Sequence, residues 1–229
     1  MIPLKVLVRP GPKPYLTFAL IIVNVAVFIW ELSLQGQGQL TTAFRDLAFN
    51  PCLIGQASIV DVLAAALRSM FFHGGWAHLV GNMVFLWLFG SQVEGYFGRK
   101  GFLVFYFAAG FIATLAHWLF NSNWCVPAIG ASGAISGILA AFFLLYPGVK
   151  VKTYVMLIGI IGTTFDIPAL YMLGYWFIVQ LLAGIASLNG NAVGGGVAFW
   201  AHIGGFIAGL VLTFAALMFK PAPRAERLD

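Results

Sequence analysis

The residues best suited to chemistry in this chain are Ser132, His202, His78 and Asn82. Ser132 stands in AIGASGAISG (Ala128–Gly137), where a second serine, Ser136, follows four positions later. A serine hydroxyl is a poor nucleophile unless a base takes its proton, and histidine is the usual base. His202, in AHIGG, can fill that part. His78 and Asn82, in HLVGN, are spaced i,i+4 and share one helix face. Both can donate to one oxyanion. With Ser132 at a helix start, its own backbone N–H is among the unpaired first-turn donors and adds a third.

The elements that position these residues are membrane spans. A charged fraction of 8%, a mean hydropathy of +0.95 and 22 phenylalanines exclude an ordinary soluble domain, which carries about 25% charge. Six apolar segments approach the roughly 20 residues needed to cross a bilayer: about Tyr15–Leu34, Trp76–Val93, Gly101–Asn121, Ile129–Tyr146, Ile167–Leu188 and Ala201–Phe219. The N-terminus has a basic start and an apolar run but no small-residue cleavage site, so it reads as a retained first span. Gln35–Phe72 reads as a long, partly interfacial loop, with apolar residues at helical spacing around Asp61 and Arg68. Val151–Ile161 is apolar but short and reads as a cytoplasmic interfacial segment.

Charge placement supports this count. With a cytoplasmic N-terminus, ten basic residues fall inside (Lys5, Arg9, Lys13, Arg99, Lys100, Lys150, Lys152, Lys220, Arg224, Arg227) and two outside (Arg45, Arg68). A seventh span would move the last three to the outside. The net charge of +5 therefore reflects cytoplasmic loops, with no basic stripe to suggest nucleic acid. The expectation is an all-α, polytopic fold of six transmembrane helices. Residues 1–14 form a cytoplasmic segment, 15–219 the membrane domain and 220–229 a cytoplasmic tail.

In this topology the second, fourth and sixth spans run inward from the outer surface. His78, Asn82, Ser132 and His202 then share one depth near their outer ends. An intramembrane histidine is a functional candidate by default. Glu94, Asp166, Glu226 and Asp229 belong to the inner side, and Glu31, Asp46 and Asp61 to the first loop region. None stands in a helix near His202, so the expected unit is a Ser–His dyad without an orienting carboxylate. Gly133-x-x-x-Gly137 and Gly205-x-x-x-Gly209 offer close helix approach, and packing alone is the plainer use of such a motif. The hydrolase elbow G-x-S-x-G is absent, since Ala134 replaces its second glycine.

The motifs HLVGN, GASG and AHIGG, in that order on the second, fourth and sixth spans, resemble those of rhomboid-family intramembrane serine proteases of the prokaryotic six-span type. The resemblance runs from about Tyr15 to Phe219. It implies Ser132 as nucleophile, His202 as general base, and His78, Asn82 and the Ser132 backbone as oxyanion hole. It also implies a six-helix rhomboid-like bundle around a water-accessible cavity, with the fifth span and the segment Leu188–Trp200 gating the substrate. The implied partners are transmembrane protein substrates and the lipid bilayer of a prokaryotic plasma membrane. No cofactor or metal is implied, and oligomeric state is left open. Two departures stand out. Ser136 occupies a position, one turn after the nucleophile, that is often aromatic in the family, and the first loop lacks the Trp-Arg pair of some bacterial members.

Rival readings fit less well. His73, His78, His117 and His202 gather toward the outer side with Cys52 and Cys125, yet no H-E-x-x-H motif supports a metal site. Both cysteines lie where a disulfide is chemically allowed, but one pair in such a chain is weak support for it. A non-proteolytic rhomboid-like binder of transmembrane segments is the alternative function, and it would be expected to lack the serine or the histidine. A transporter would show inverted repeats and polar groups at the midplane.

Overall fold

The computed structural model describes residues 1–8, 13–158, 160–188 and 197–223. Arg9, Arg224 and Arg227 of the basic residues counted above, and positions 189–196 of the expected gating segment, lie outside the described residues. The fold is mostly helical, at 68%. Its helices are α1 (Tyr15–Gly36), α2 (Leu40–Leu47), α3 (Ile59–Ser69), α4 (Trp76–Phe85), α5 (Ser91–Asn121), α6 (Ser132–Leu145), α7 (Ala169–Leu188) and α8 (Phe199–Leu217). A π-turn at Leu86–Gly90 joins α4 to α5.

Among the described residues, four helical stretches are long and apolar enough to cross a membrane: Tyr15–Gly36, Trp76–Asn121, Ala169–Leu188 and Phe199–Leu217. The 14-residue α6 is apolar but shorter. Trp76–Asn121 covers 46 residues. As one straight helix it would run about 70 Å, more than twice the roughly 30 Å hydrocarbon core. It is broken at Gly98, whose φ of 70° and ψ of 168° suit glycine. The chain doubles back there. Glu94, just before the break, binds the start of α1, whereas His117, near the end of α5, shares a cavity with Ser69 and Ser132 at the opposite end.

The structure corrects the all-α expectation. Ile2–Val6 (β1), Lys150–Ile158 (β2) and Ile161–Pro168 (β3) form an antiparallel sheet in the order β1-β2-β3. The segment read as a short interfacial run is thus the β2–β3 hairpin, and β3 takes the first residues assigned to the fifth span. Val151 and Thr153 are buried while Lys150 and Lys152 are exposed, a period-2 alternation rich in β-branched residues. Near the tip both faces are apolar, which hides that alternation in the sequence.

The centre of the bundle is α6, with eleven of its fourteen residues buried. It lies between α5 and α8. A methyl group on Gly133 would stand 2.7 Å from Ala113 Cβ, and one on Gly137 would stand 2.6 Å from Ala109 Cβ and 3.2 Å from the Gly205 carbonyl oxygen. Only backbones without side chains approach this closely. At the sheet end, the buried Glu94 carboxylate accepts from Leu16 N–H at 3.0 Å, Thr17 N–H at 2.7 Å and Thr17 Oγ at 2.8 Å. An anion on the free N–H groups of a helix start is favourable, and it pins α1 to the chain reversal.

At the other end the first loop is tied to the segment ahead of α6. Phe49 N–H donates to Ser69 Oγ, Ala128 N–H to the Phe49 carbonyl, and Gly130 N–H to the Ser69 carbonyl. Arg68 Nε donates to the Leu47 carbonyl. Cys52 and Cys125 form a disulfide across the same junction.

Candidate active site

Ser132 is the first residue of α6 and His202 lies in the first turn of α8. The glycine faces of these helices meet one turn below, and this close packing brings the two side chains together. His202 Nε2 is 2.8 Å from Ser132 Oγ. On its other side, His202 Nδ1 is 2.8 Å from Gln180 Oε1. An amide oxygen can only accept, so Nδ1 carries the proton and Nε2 presents a lone pair to the serine hydroxyl. Gln180 was not among the residues expected at this site, being a lone glutamine in an apolar span with no motif around it. Trp176, one turn earlier on α7, places its ring 5.9 Å from that of His202. An aromatic contact to this imidazole thus comes from α7, while Ser136, where the family often has an aromatic residue, lies buried.

Ser136 is otherwise engaged. Its hydroxyl donates to the Ser132 carbonyl at 2.6 Å, and the residue is 1% exposed.

His78 enters from α4. Gly74 N–H donates to His78 Nδ1 at 3.4 Å, which leaves Nε2 as the protonated nitrogen. That Nε2 hangs over Gly130: a methyl there would stand 2.6 Å from it and 3.5 Å from Ser132 Oγ. Gly130 has a φ of 122°, so glycine is required by both space and backbone. Asn82, one turn after His78, is buried, and its Nδ2 has no hydrogen-bond partner among the described residues. A buried donor left open in this way costs stability, and reserving it for a ligand oxygen is one reason to keep it.

His117 is buried, lines the cavity beside Ser132, and stands 3.4 Å from Asn121 through Nδ1. His73 lies in the loop before α4, its ring 5.1 Å from that of His78. Its backbone N–H donates to both oxygens of Glu31, and its Nδ1 lies 3.1 Å from the Phe71 carbonyl. Burial first, and His78 second, push the His73 imidazole down to about 4, so it is neutral at physiological pH. Among the described residues no three His, Cys, Asp or Glu side chains gather as a metal-binding group.

Residues 62–219, which include all of these candidate residues, match the Rhomboid domain. The chain belongs to the rhomboid family. It is 32% identical to the Rhomboid protease GluP of Bacillus subtilis over 200 residues, covering 87% of this chain and 35% of that protein. It is 30% identical to Rhomboid protein 1, mitochondrial, of Saccharomyces cerevisiae over 223 residues, covering 93% of this chain and 57% of that protein. It is 27% identical to the Rhomboid protease AarA of Providencia stuartii over 226 residues, covering 93% and 76% respectively. The chain thus spans about a third of the Bacillus relative and just over half of the yeast one. As a rhomboid with several membrane-crossing helices, it is a multi-pass membrane protein.

Proposed function

We propose that this rhomboid is an intramembrane serine protease in which Ser132 is the nucleophile and His202 the general base. One observation carries the reading. A serine hydroxyl and an imidazole nitrogen stand 2.8 Å apart, with the imidazole held from behind by Gln180. Nε2 takes the Ser132 proton as Oγ attacks the scissile carbonyl, and the imidazolium then protonates the leaving amine. Water, deprotonated in turn by His202, releases the acyl group. The oxyanion is received by the Ser132 N–H, His78 Nε2–H and Asn82 Nδ2, donors from two helices set before the reaction begins. The binder alternative requires a broken dyad, and no observation here favours it.

In this reading the chain crosses the bilayer six times. Gly98 divides the longest helical stretch into two crossings, and α6 is a short, mostly buried one. Both termini are then cytoplasmic, and the dyad opens toward the extracytoplasmic side. The substrate is a membrane-spanning helix admitted laterally beside α7. A helical peptide bond is shielded, so the segment must unwind, and unpaired backbone groups are costly in hydrocarbon. Unwinding is easiest in the polar cavity and where Gly, Pro or polar residues weaken the helix.

The test is a single-span reporter protein whose outer helix end is either Gly- and Ala-rich or all leucine, with the cut mapped by mass spectrometry. Preferred cleavage of the Gly- and Ala-rich form near its extracytoplasmic end is expected. Equal cutting of both, or a cut at the cytoplasmic end, contradicts the mechanism.

A further inference from the structure

The β2–β3 hairpin has one face already committed to an apolar neighbour. Val6, Val151 and Ile167 are paired across the three strands on that face, as are Pro3, Thr153 and Phe165 one step further out. Val6, Val151 and Thr153 are buried against the bundle, and Thr153 Oγ1 meets Met172 Sδ of α7 at 3.3 Å. Beyond this contact the same face continues through the part-buried Val155, the exposed Thr163 and the half-exposed Phe165. At the tip, Leu157, Ile158, Ile160 and Ile161 are 65%, 79%, 87% and 72% exposed. The opposite face is charged: Lys5, Lys152 and Asp166 form one cross-strand row, with Lys150 beside it. A sheet that is apolar on one face, charged on the other only near its base, and apolar on both toward its tip matches a water–hydrocarbon boundary.

Two further observations select the bilayer as what covers this face. β3 passes into α7 at Ala169 without a spacer, and the next turns of α7 present Tyr171 and Tyr175 outward. Tyrosines on the outside of a crossing helix mark the headgroup level, so β3 arrives at that level. The turn carbonyl of Ile160, which an apolar surrounding would leave unpaired, accepts from the Tyr154 hydroxyl at 2.7 Å. Satisfying backbone groups within the chain is what contact with lipid demands.

We propose that the β2–β3 hairpin is a membrane-inserted anchor. Its tip and the outer half of its apolar face lie in the hydrocarbon edge of the leaflet at the sheet end of the bundle, and its lysine face lies in water. The partner is the acyl region of the lipids. The inference rests on the multi-pass architecture and not on protease activity. It also gives α7 a fixed base in the bilayer, so that movement of α7 is confined to its other end.

The experiment uses the full chain in phosphatidylcholine bilayers, with an environment-sensitive fluorophore attached by maleimide to Ile158→Cys at the tip or Lys152→Cys on the charged face. Cys52 and Cys125 stay bridged, and unsubstituted protein gives the labelling background. The label at 158 is expected to emit to the blue of the label at 152, to be quenched by nitroxide-bearing lipids and to be spared by aqueous iodide. The label at 152 should be quenched by iodide. Iodide quenching at 158 equal to that at 152 overturns the proposal. So does shielding of 158 from both quenchers accompanied by cross-linking between two labelled copies, which would place a second chain on this face. Phe165→Cys, on the bundle-facing side, repeats the reading at a second site should the tip variant fold poorly.

Discussion

A methyl group on Gly205 would overlap the carbonyl oxygen of Gly133, and one on Gly209 would overlap that of Gly137. The α6–α8 seam is therefore a contact of backbone on backbone, and it sets the separation of Ser132 and His202 one turn away.

Gly205→Val must push α8 off α6, because the obstacle is main chain and cannot rotate away. Overpacking of this kind costs about 1–3 kcal/mol, and more where the backbone cannot shift. Cleavage should be lost and the thermal midpoint in detergent lowered. A Gly205→Val protein with full activity would show that the seam does not set the dyad.

Ser136→Ala removes a hydroxyl whose use is a bond to the Ser132 carbonyl. A hydrogen bond of this kind contributes on the order of 1 kcal/mol. Labelling by a fluorophosphonate should persist, with a small fall in thermal stability. A Ser136→Ala variant that no longer takes the label would reverse the assignment of the two serines.

In the proposed mechanism Gln180 acts through His202, so its replacement should read out in the base. Gln180→Leu leaves Nδ1–H without its acceptor and frees the ring to turn. The expected loss in kcat is roughly 10- to 100-fold, up to the lower bound of the roughly 100- to 10,000-fold that acid–base catalysis contributes, because the base itself remains. Gln180→Glu should retain activity but move the acid limb of the kcat/KM profile to higher pH, because a carboxylate there favours the imidazolium and the working base is the neutral ring. A shift in KM alone, with an unmoved pH profile, would mean that Gln180 only lines the cavity.

The Cys52–Cys125 bridge spans a sequence separation of 73 at the junction that holds Gly130 under His78. Cross-links of this kind commonly contribute about 2–4 kcal/mol. A membrane-permeant reductant should lower the thermal midpoint of the unsubstituted protein and leave a Cys52→Ser, Cys125→Ser double variant unmoved. Equal midpoints with and without reductant in both proteins would show that the bridge does not support the fold.

The pairing of Ser132 with His202 was legible in the sequence because each sits in a small-residue motif, and those two motifs pack on one another. Asn82 was legible because i,i+4 spacing from His78 is a local rule. Gln180 was not, because its partner lies on another helix and an isolated glutamine has no spacing to betray it. The sheet was hidden for a different reason: β2 is apolar on both faces toward its tip, so its period of two emerges only where the bundle covers Val151 and Thr153. The reversal at Gly98 was implied by separate spans on either side, although the helix there breaks at a single residue. The disulfide stayed undecided, since pairing depends on how the first loop folds back on the segment before Ser132.

The most direct measurement is activity-based labelling of the protein in its own membranes with a fluorophosphonate, followed by mapping of the modified peptide. One labelled residue is expected, Ser132, with labelling abolished in Ser132→Ala and in His202→Ala while both variants keep the thermal stability of a folded bundle. A label mapped to any other residue, or a folded Ser132→Ala protein that still cleaves a membrane-spanning substrate, would contradict the assignment.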